Sequence, residues 1–348
     1  MKSLRYRLLV LTVFLLLLAG VFLIINNPSN AVTLAVVFTF LIAIVIYMGK
    51  NADVLPTSLR TNFLILFRNP VLLNATIYFR YGKMVHYNWG DDMNYFFINE
   101  LLNLPTAIFG YSYLRKKKGI ARKENFLVIG STITMLTTPD TVVWGAGVVD
   151  EKEPLPALPK EVLAVRGPLT RKYLLSKGVE CPEIYGDPIL LLKYFYKPDI
   201  EKKYKIGVIP HYADFDDVKF DALKNDSRVL FINMKGYADW KDIVNQVLSC
   251  EFIISSSLHG LIISETYSIP NLWIKVSDRI RGGEFKYQDY YQSIGIMNAL
   301  PFCLQSDITF EELWKKKGEY IQGSIELQAL INSAPIQFSL SKQIKSIN

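Results

Sequence analysis

The stretch Glu251–Lys275, EFIISSSLHGLIISETYSIPNLWIK, constrains the fold more than any other part of this chain. Its apolar run Phe252–Ile254 has the length of a buried parallel strand. Three serines follow, then Leu258, His259 and Gly260, then a helical pattern over Leu261–Tyr267. Ile269–Pro270 stops that helix, and Asn271–Val276 begins another apolar strand. The unit is strand, loop, helix, strand, with its polar residues gathered where strand gives way to helix. In open α/β sheets ligands bind at the carboxyl ends of strands, and helix N-termini there favour anions. Ser255, Ser256, Ser257, Leu258, His259 and Gly260 are therefore candidate binding residues. A histidine so placed can donate to a phosphate or act as an acid. The plainer alternative is that the serines cap a helix and His259 is a satisfied structural side chain.

The same alternation recurs along the chain. Phe126–Ile129, Thr141–Trp144 and Val162–Val165 read as strands in one half, Lys205–Tyr212 and Val229–Met234 in the other. The pattern predicts an α/β protein of two Rossmann-like, doubly wound domains, residues 84–200 and 201–334, hinged at Lys197–Lys203 and followed by a tail, 335–348. Loops at strand ends carry further candidates. Gly90 permits a turn ahead of a helix that Asp91 or Asp92 can cap. Arg166, at the end of Val162–Val165, can grip a carboxylate or phosphate with two prongs. Gly186-Asp187-Pro188 closes the first half, Pro210 and His211 end a strand, and the loop after Val276 supplies Arg279, Arg281 and Lys286.

Ahead of this body lie two apolar runs, Leu8–Ile25 and Ala31–Met48, joined by the turn Asn26–Asn30. Each is near the lower limit for spanning a bilayer. Lys2, Arg5 and Arg7 precede the first run, Lys50, Arg60 and Arg68 follow the second, and the turn carries no charge. By the positive-inside rule both ends lie in the cytoplasm. The expectation is an N-terminal two-helix transmembrane hairpin over 1–50, multi-pass in the inner membrane, holding the body on the cytoplasmic side. Residues 51–83 are read as a connector that lies along the membrane surface or packs on the body. The three cysteines, Cys181, Cys250 and Cys303, are odd in number and far apart, so neither a disulfide framework nor a zinc spacing is available. A net charge of +7 suits anionic headgroups or anionic substrates, and the lysine run Arg115–Lys118 is equally a solvated surface. Without a recognition motif the charge does not point to nucleic acid.

Several blocks agree in order: Gly90–Leu102, Arg166–Thr170, Tyr185-Gly186-Asp187-Pro188, Ile209-Pro210-His211-Tyr212, and Ser255–Gly260 with Ile269–Pro270. Together they resemble the polysaccharide pyruvyl transferase family, in the branch that decorates exopolysaccharides of the succinoglycan and xanthan kind. The resemblance implies a two-domain fold like the GT-B glycosyltransferases. It also implies transfer of the enolpyruvyl carbons of phosphoenolpyruvate onto two hydroxyls of one sugar, giving a cyclic ketal and phosphate. The family's Arg-Leu-His triplet is matched by Ser257-Leu258-His259, so the arginine is absent here. Its phosphate contact then falls to Arg279, Arg281 or Lys286, while His259 carries over directly and Arg166 matches another anion-gripping arginine.

Ketal formation needs a proton at the methylene carbon while positive charge builds on its neighbour. His259 is the candidate general acid, with a pKa expected near the working pH. The base is one of Asp91, Asp92, Asp187 and Asp289; Asp91 and Asp187 are the catalytic candidates, Gly90 and Asp92 substrate-binding ones. No metal and no cofactor beyond phosphoenolpyruvate as donor are expected. The expected partners are that donor, a glycan or lipid-linked oligosaccharide acceptor and the membrane; the oligomeric state stays open. Two rivals remain, a nucleotide-sugar glycosyltransferase of the same architecture and a non-catalytic scaffold for polysaccharide assembly.

Overall fold

Short runs of branched and aromatic residues build the strands of this protein, and Asn74, Gly145, Pro210 and Ser256 close those that end at Leu73, Trp144, Ile209 and Ser255. The computed structural model describes residues 15, 18–22, 24–26, 31–50, 57–80, 83–111 and 124–347. The first sheet begins with β1 (Val71–Leu73), is interrupted by an antiparallel ribbon of β2 (Tyr78–Arg80) and β3 (Lys83–Val85), and resumes with β4 (Thr106–Ile108), β5 (Asn125–Leu127), β6 (Thr141–Trp144) and β7 (Glu161–Ala164). Its order is β4-β1-β5-β6-β7, all parallel. The second sheet holds β8 (Tyr204–Ile209), β9 (Val229–Phe231), β10 (Cys250–Ser255), β11 (Asn271–Lys275) and β12 (Phe302–Cys303), ordered β12-β11-β10-β8-β9 and again parallel.

Counted from the first strand of each, both sheets run 2-1-3-4-5, a common doubly wound order. The direction of winding switches between β1 and β5 in one sheet and between β8 and β10 in the other. Crevices for ligands open at such switch points. Val71–Leu73 lies within the stretch read as a connector, yet it is an inner strand of the first sheet with all three residues buried.

The two lobes share one core. Leu73, Phe126 and Trp144 of the first and Ile209, Ile253 and Trp273 of the second belong to the same buried apolar cluster. The helix Trp240–Leu248 shows how sequence drives this: Trp240, Ile243, Val244 and Val247 fall on one face and are buried, and an Asp239–Asp242 capping box fixes its start. Across the seam the Trp89 backbone N–H donates to the Met234 carbonyl (2.8 Å), and its indole donates to the Trp240 carbonyl (3.0 Å). Beyond Pro335, where a tail was expected, the chain returns to the first sheet. Phe338 is fully buried against Phe126 and Trp144, with ring centroids at 5.3 and 5.8 Å.

Two expectations need correction. Crossing the hydrocarbon core takes about 20 consecutive, predominantly apolar residues. Among the described residues no helix is long and apolar enough to cross a membrane, so the transmembrane hairpin is not supported. Much of Leu8–Ile25, and the run Arg115–Lys118, lie outside the described residues. The α/β fold with parallel sheets is as expected, whereas the finer likeness to GT-B glycosyltransferases has no support.

Candidate active site between the two switch points

The switch points of the two sheets face each other across a cleft of about 250 Å³. Thr76, Ser131 and Thr132 reach it from beyond β1 and β5, His211 and Tyr212 from beyond β8, and Ser257, Leu258 and His259 from beyond β10. Asn88 and Asp91 enter from the start of the helix Trp89–Tyr95, and Lys286 from the helix Phe285–Ser293.

His259 sits in the first turn of the helix Leu258–Thr266 and is buried, and its Nε2 has no hydrogen-bond partner among the described residues. A Cβ placed on Gly90 would lie 1.8 Å from His259 Nδ1. Gly90 is thus helical and kept bare to admit the imidazole, which corrects its expected role in a turn. Burial first, then the charges of Lys286, Arg166 and His211, push the His259 pKa down to about 3. The expected pKa near the working pH is therefore not met: a sealed ring beside cations stays neutral. His211 is likewise lowered to about 3, by burial and then Lys286. Its backbone N–H donates to Ser256 Oγ (2.9 Å), and its Nδ1 accepts from the Ala213 N–H (3.2 Å).

Lys286 is buried, and burial, then Arg166, push its pKa down to about 8 against the pull of Asp91. Among the described residues its ammonium makes no hydrogen bond or ion pair; it lies 5.3 Å from the centroid of the Tyr287 ring. Burial raises Asp91 to about 6, opposed by bonds from Thr76 and Asn88 and by the Lys286 charge. The Asn88 amide donates to Asp91 Oδ2 at 2.9 Å. The cleft therefore holds one acid and one base that titrate on either side of neutrality.

The other predicted residues divide. Ser257 and Leu258 line the cleft, and the Ser257 side chain makes no capping bond. Ser255 is internal, donating to the Ile209 and Ser257 carbonyls, and a side chain on Gly260 would strike its hydroxyl. Ser256 acts behind the cleft by holding His211. Arg166 is fully buried and already occupied: its Nε donates to Asp289 Oδ2 (2.9 Å), and its other nitrogens donate to Ser131 Oγ and the Val148 carbonyl. It is not among the cleft residues, so its two-pronged grip is on Asp289 rather than on a ligand. Asp289 is itself spent on Arg166 and on the Thr170 N–H and hydroxyl.

Asp187 and Asp92 also lie off the cleft. Asp187 is fully buried and caps Ile189 N–H at 3.0 Å, and burial raises its pKa to about 7. Asp92 accepts from the Tyr237 hydroxyl (2.8 Å) across the seam. Arg279 pairs with Asp214 and Asp217 away from the cleft, whereas Arg281 stands at its mouth in an ion pair with Glu153 (2.6 Å). Sequence reading missed Thr76, Ser131, Thr132 and the tyrosines Tyr78 and Tyr87. Gly130-Ser131-Thr132 does follow an apolar strand and could have been weighed; the tyrosines carry no such signal.

Residues 84–278, more than half of the chain, match the model of the family described as polysaccharide pyruvyl transferase. The chain belongs to the polysaccharide pyruvyl transferase family. It is 30% identical over 222 residues to the uncharacterized protein L143 of Acanthamoeba polyphaga mimivirus, covering 61% of this chain and 74% of that protein. It is 26% identical over 224 residues to the succinoglycan biosynthesis protein ExoV of Rhizobium meliloti (strain 1021), covering 62% of this chain and 64% of that one. The matched stretch of this polysaccharide pyruvyl transferase family member includes Asp91, His211 and His259; Thr76, Arg281 and Lys286 lie outside it.

Proposed function

We propose that the protein transfers the pyruvyl group of phosphoenolpyruvate to two hydroxyls of one sugar in a polysaccharide or its lipid-linked precursor, releasing phosphate. Family membership supports pyruvyl transfer in general. The observation that carries the donor assignment is Lys286, a buried ammonium with no hydrogen bond or ion pair among the described residues, beside two imidazoles in a small cleft. Asp91 pulls on this ammonium but makes no ion pair with it; a charge so poorly compensated is unfavourable, and a carboxylate or phosphate entering the cleft supplies the missing contact. The N–H groups at the start of the helix Leu258–Thr266 add to the attraction for an anion.

In this reading the donor's negative charge reverses the balance at His259. It opposes the burial and the Lys286 field that keep the ring neutral, so the imidazole takes up a proton with the substrate and delivers it to the methylene carbon. One sugar hydroxyl adds to the neighbouring carbon, phosphate leaves, and the second hydroxyl closes the ketal. The two hydroxyl protons balance the one gained by the new methyl group and the one carried off on phosphate. Asp91, ionised above about 6, accepts a hydroxyl proton. Of the three cations expected to take over the phosphate contact, Lys286 is the one that holds the leaving phosphate in this reading.

The test uses the full chain with phosphoenolpyruvate and a panel of methyl hexopyranosides and short oligosaccharides. Sugar-dependent phosphate release supports the reading. Turnover of a sugar nucleotide without consumption of phosphoenolpyruvate supports the glycosyltransferase alternative and rejects it. Phosphate release unchanged in His259→Ala removes the imidazole from the mechanism.

A further inference from the structure

The mouth of the cleft carries a feature that the donor chemistry does not use. Tyr78, on the β2–β3 ribbon, and Tyr87 belong to the first lobe, and Tyr212 belongs to the second. They are 52%, 44% and 54% exposed, an unusual outlay of large rings for one rim. Tyr87 stands between the other two, 5.7 Å from Tyr78 and 6.1 Å from Tyr212 between centroids. Lys235 Nζ lies 4.6 Å from the Tyr87 centroid and closes one side. None of the three hydroxyls has a hydrogen-bond partner among the described residues. Tyr212 also packs against His211, its ring tilted by 34° with centroids 4.2 Å apart, so this wall runs directly into the inner cleft that holds Lys286 and His259.

We infer that Tyr78, Tyr87 and Tyr212 form the acceptor subsite, a platform for the pyranose ring that receives the pyruvyl group. This rests on the function proposed above and adds where the sugar lies. A pyranose offers a face of C–H groups and a girdle of hydroxyls. Tyrosine answers both, with a flat apolar body and a polar tip. The ammonium of Lys235 and the amide of Asn233, both at the cleft, complete the polar edge. Because the rings come from both lobes, the platform exists only where the lobes meet, next to the donor's position. A sugar lying on it has its hydroxyls directed at the groups that hold the donor.

The experiment replaces Tyr87 and Tyr212 singly by alanine and by phenylalanine in the full chain. Thermal melting checks that these exposed replacements leave the fold intact. With the best hexoside of the panel, each alanine variant should raise the sugar KM about tenfold or more, as expected for loss of about 1.4 kcal/mol of binding. The KM for phosphoenolpyruvate should change less than about twofold, and phenylalanine should restore most of the loss. An unchanged sugar KM in both alanine variants, with turnover intact, overturns the platform and leaves the proposed reaction standing. If wild type shows no turnover, the proposed reaction fails, and saturation-transfer NMR with the same hexosides decides the platform alone. A hexoside signal lost in Tyr87→Ala supports it. An equal signal in both proteins, or a tyrosine-dependent signal from uridine monophosphate instead of the hexoside, overturns it.

Discussion

Lys286 and Asp91 share one cleft, and burial moves each toward neutrality, to about 8 and about 6. The lysine is charged below about 8, where the proposed reaction needs it to hold the donor; the carboxyl is a base only above about 6. The kcat/KM for phosphoenolpyruvate should therefore rise through about 6 and fall through about 8. Lys286→Met should abolish the alkaline limb and lower the rate by about 10²-fold or more; persistence of that limb would show that another group titrates. Gly90→Ala separates space from folding. Alanine in a helix is favoured over glycine by about 0.5–1 kcal/mol, so the protein should fold, while the new methyl displaces the His259 ring. Phosphate release should drop by about 10²-fold or more, whereas a near-wild-type rate would mean that the imidazole position does not matter. His259 was legible in the sequence because it follows a strand at the head of a helix. Arg166 misled because the partner that occupies it, Asp289, lies 123 residues further along the chain.

The pair Arg166–Asp289 is also a joint between elements. Asp289, on the helix Phe285–Ser293, reaches the Arg166 side chain and the Thr170 N–H in the first turn of the helix Pro168–Ser176. Asp289→Ala leaves a buried guanidinium without its counter-charge and should cost about 3–5 kcal/mol in urea denaturation, with Arg166→Met/Asp289→Leu recovering much of that. A loss below about 1 kcal/mol would place the pair in a wetter setting than the structure gives it. Strands β5 to β11 could be read from local pattern, whereas β1, inside the stretch read as a connector, could not. The ribbon β2–β3 could not, since Tyr78-Phe79 and Met84-Val85 show no alternation of apolar and polar types in the sequence; its Tyr78 lines the cleft.

The two sheets carry separate doubly wound topologies, yet their apolar residues merge into a single buried cluster, and the C-terminal segment crosses back to the first sheet. Calorimetry should show one cooperative transition; two resolved transitions would contradict a shared core. The alternation of strands and helices revealed the α/β class, but not that both sheets wind 2-1-3-4-5, because strand order is set by long-range packing. Hydropathy alone favoured an N-terminal transmembrane hairpin, which the described helices do not support. The cleft follows from topology: two switch points face one another, and the imidazole, ammonium and carboxyl meet there. The central claim is that this cleft protonates the methylene carbon of phosphoenolpyruvate while a sugar captures its neighbour. The most direct measurement is NMR of the sugar product formed in D2O by wild type and by His259→Gln. A ketal whose methyl group carries one deuterium, lost in the variant, is the predicted result; a product without a ketal methyl, or one formed equally well by the variant, would contradict the account.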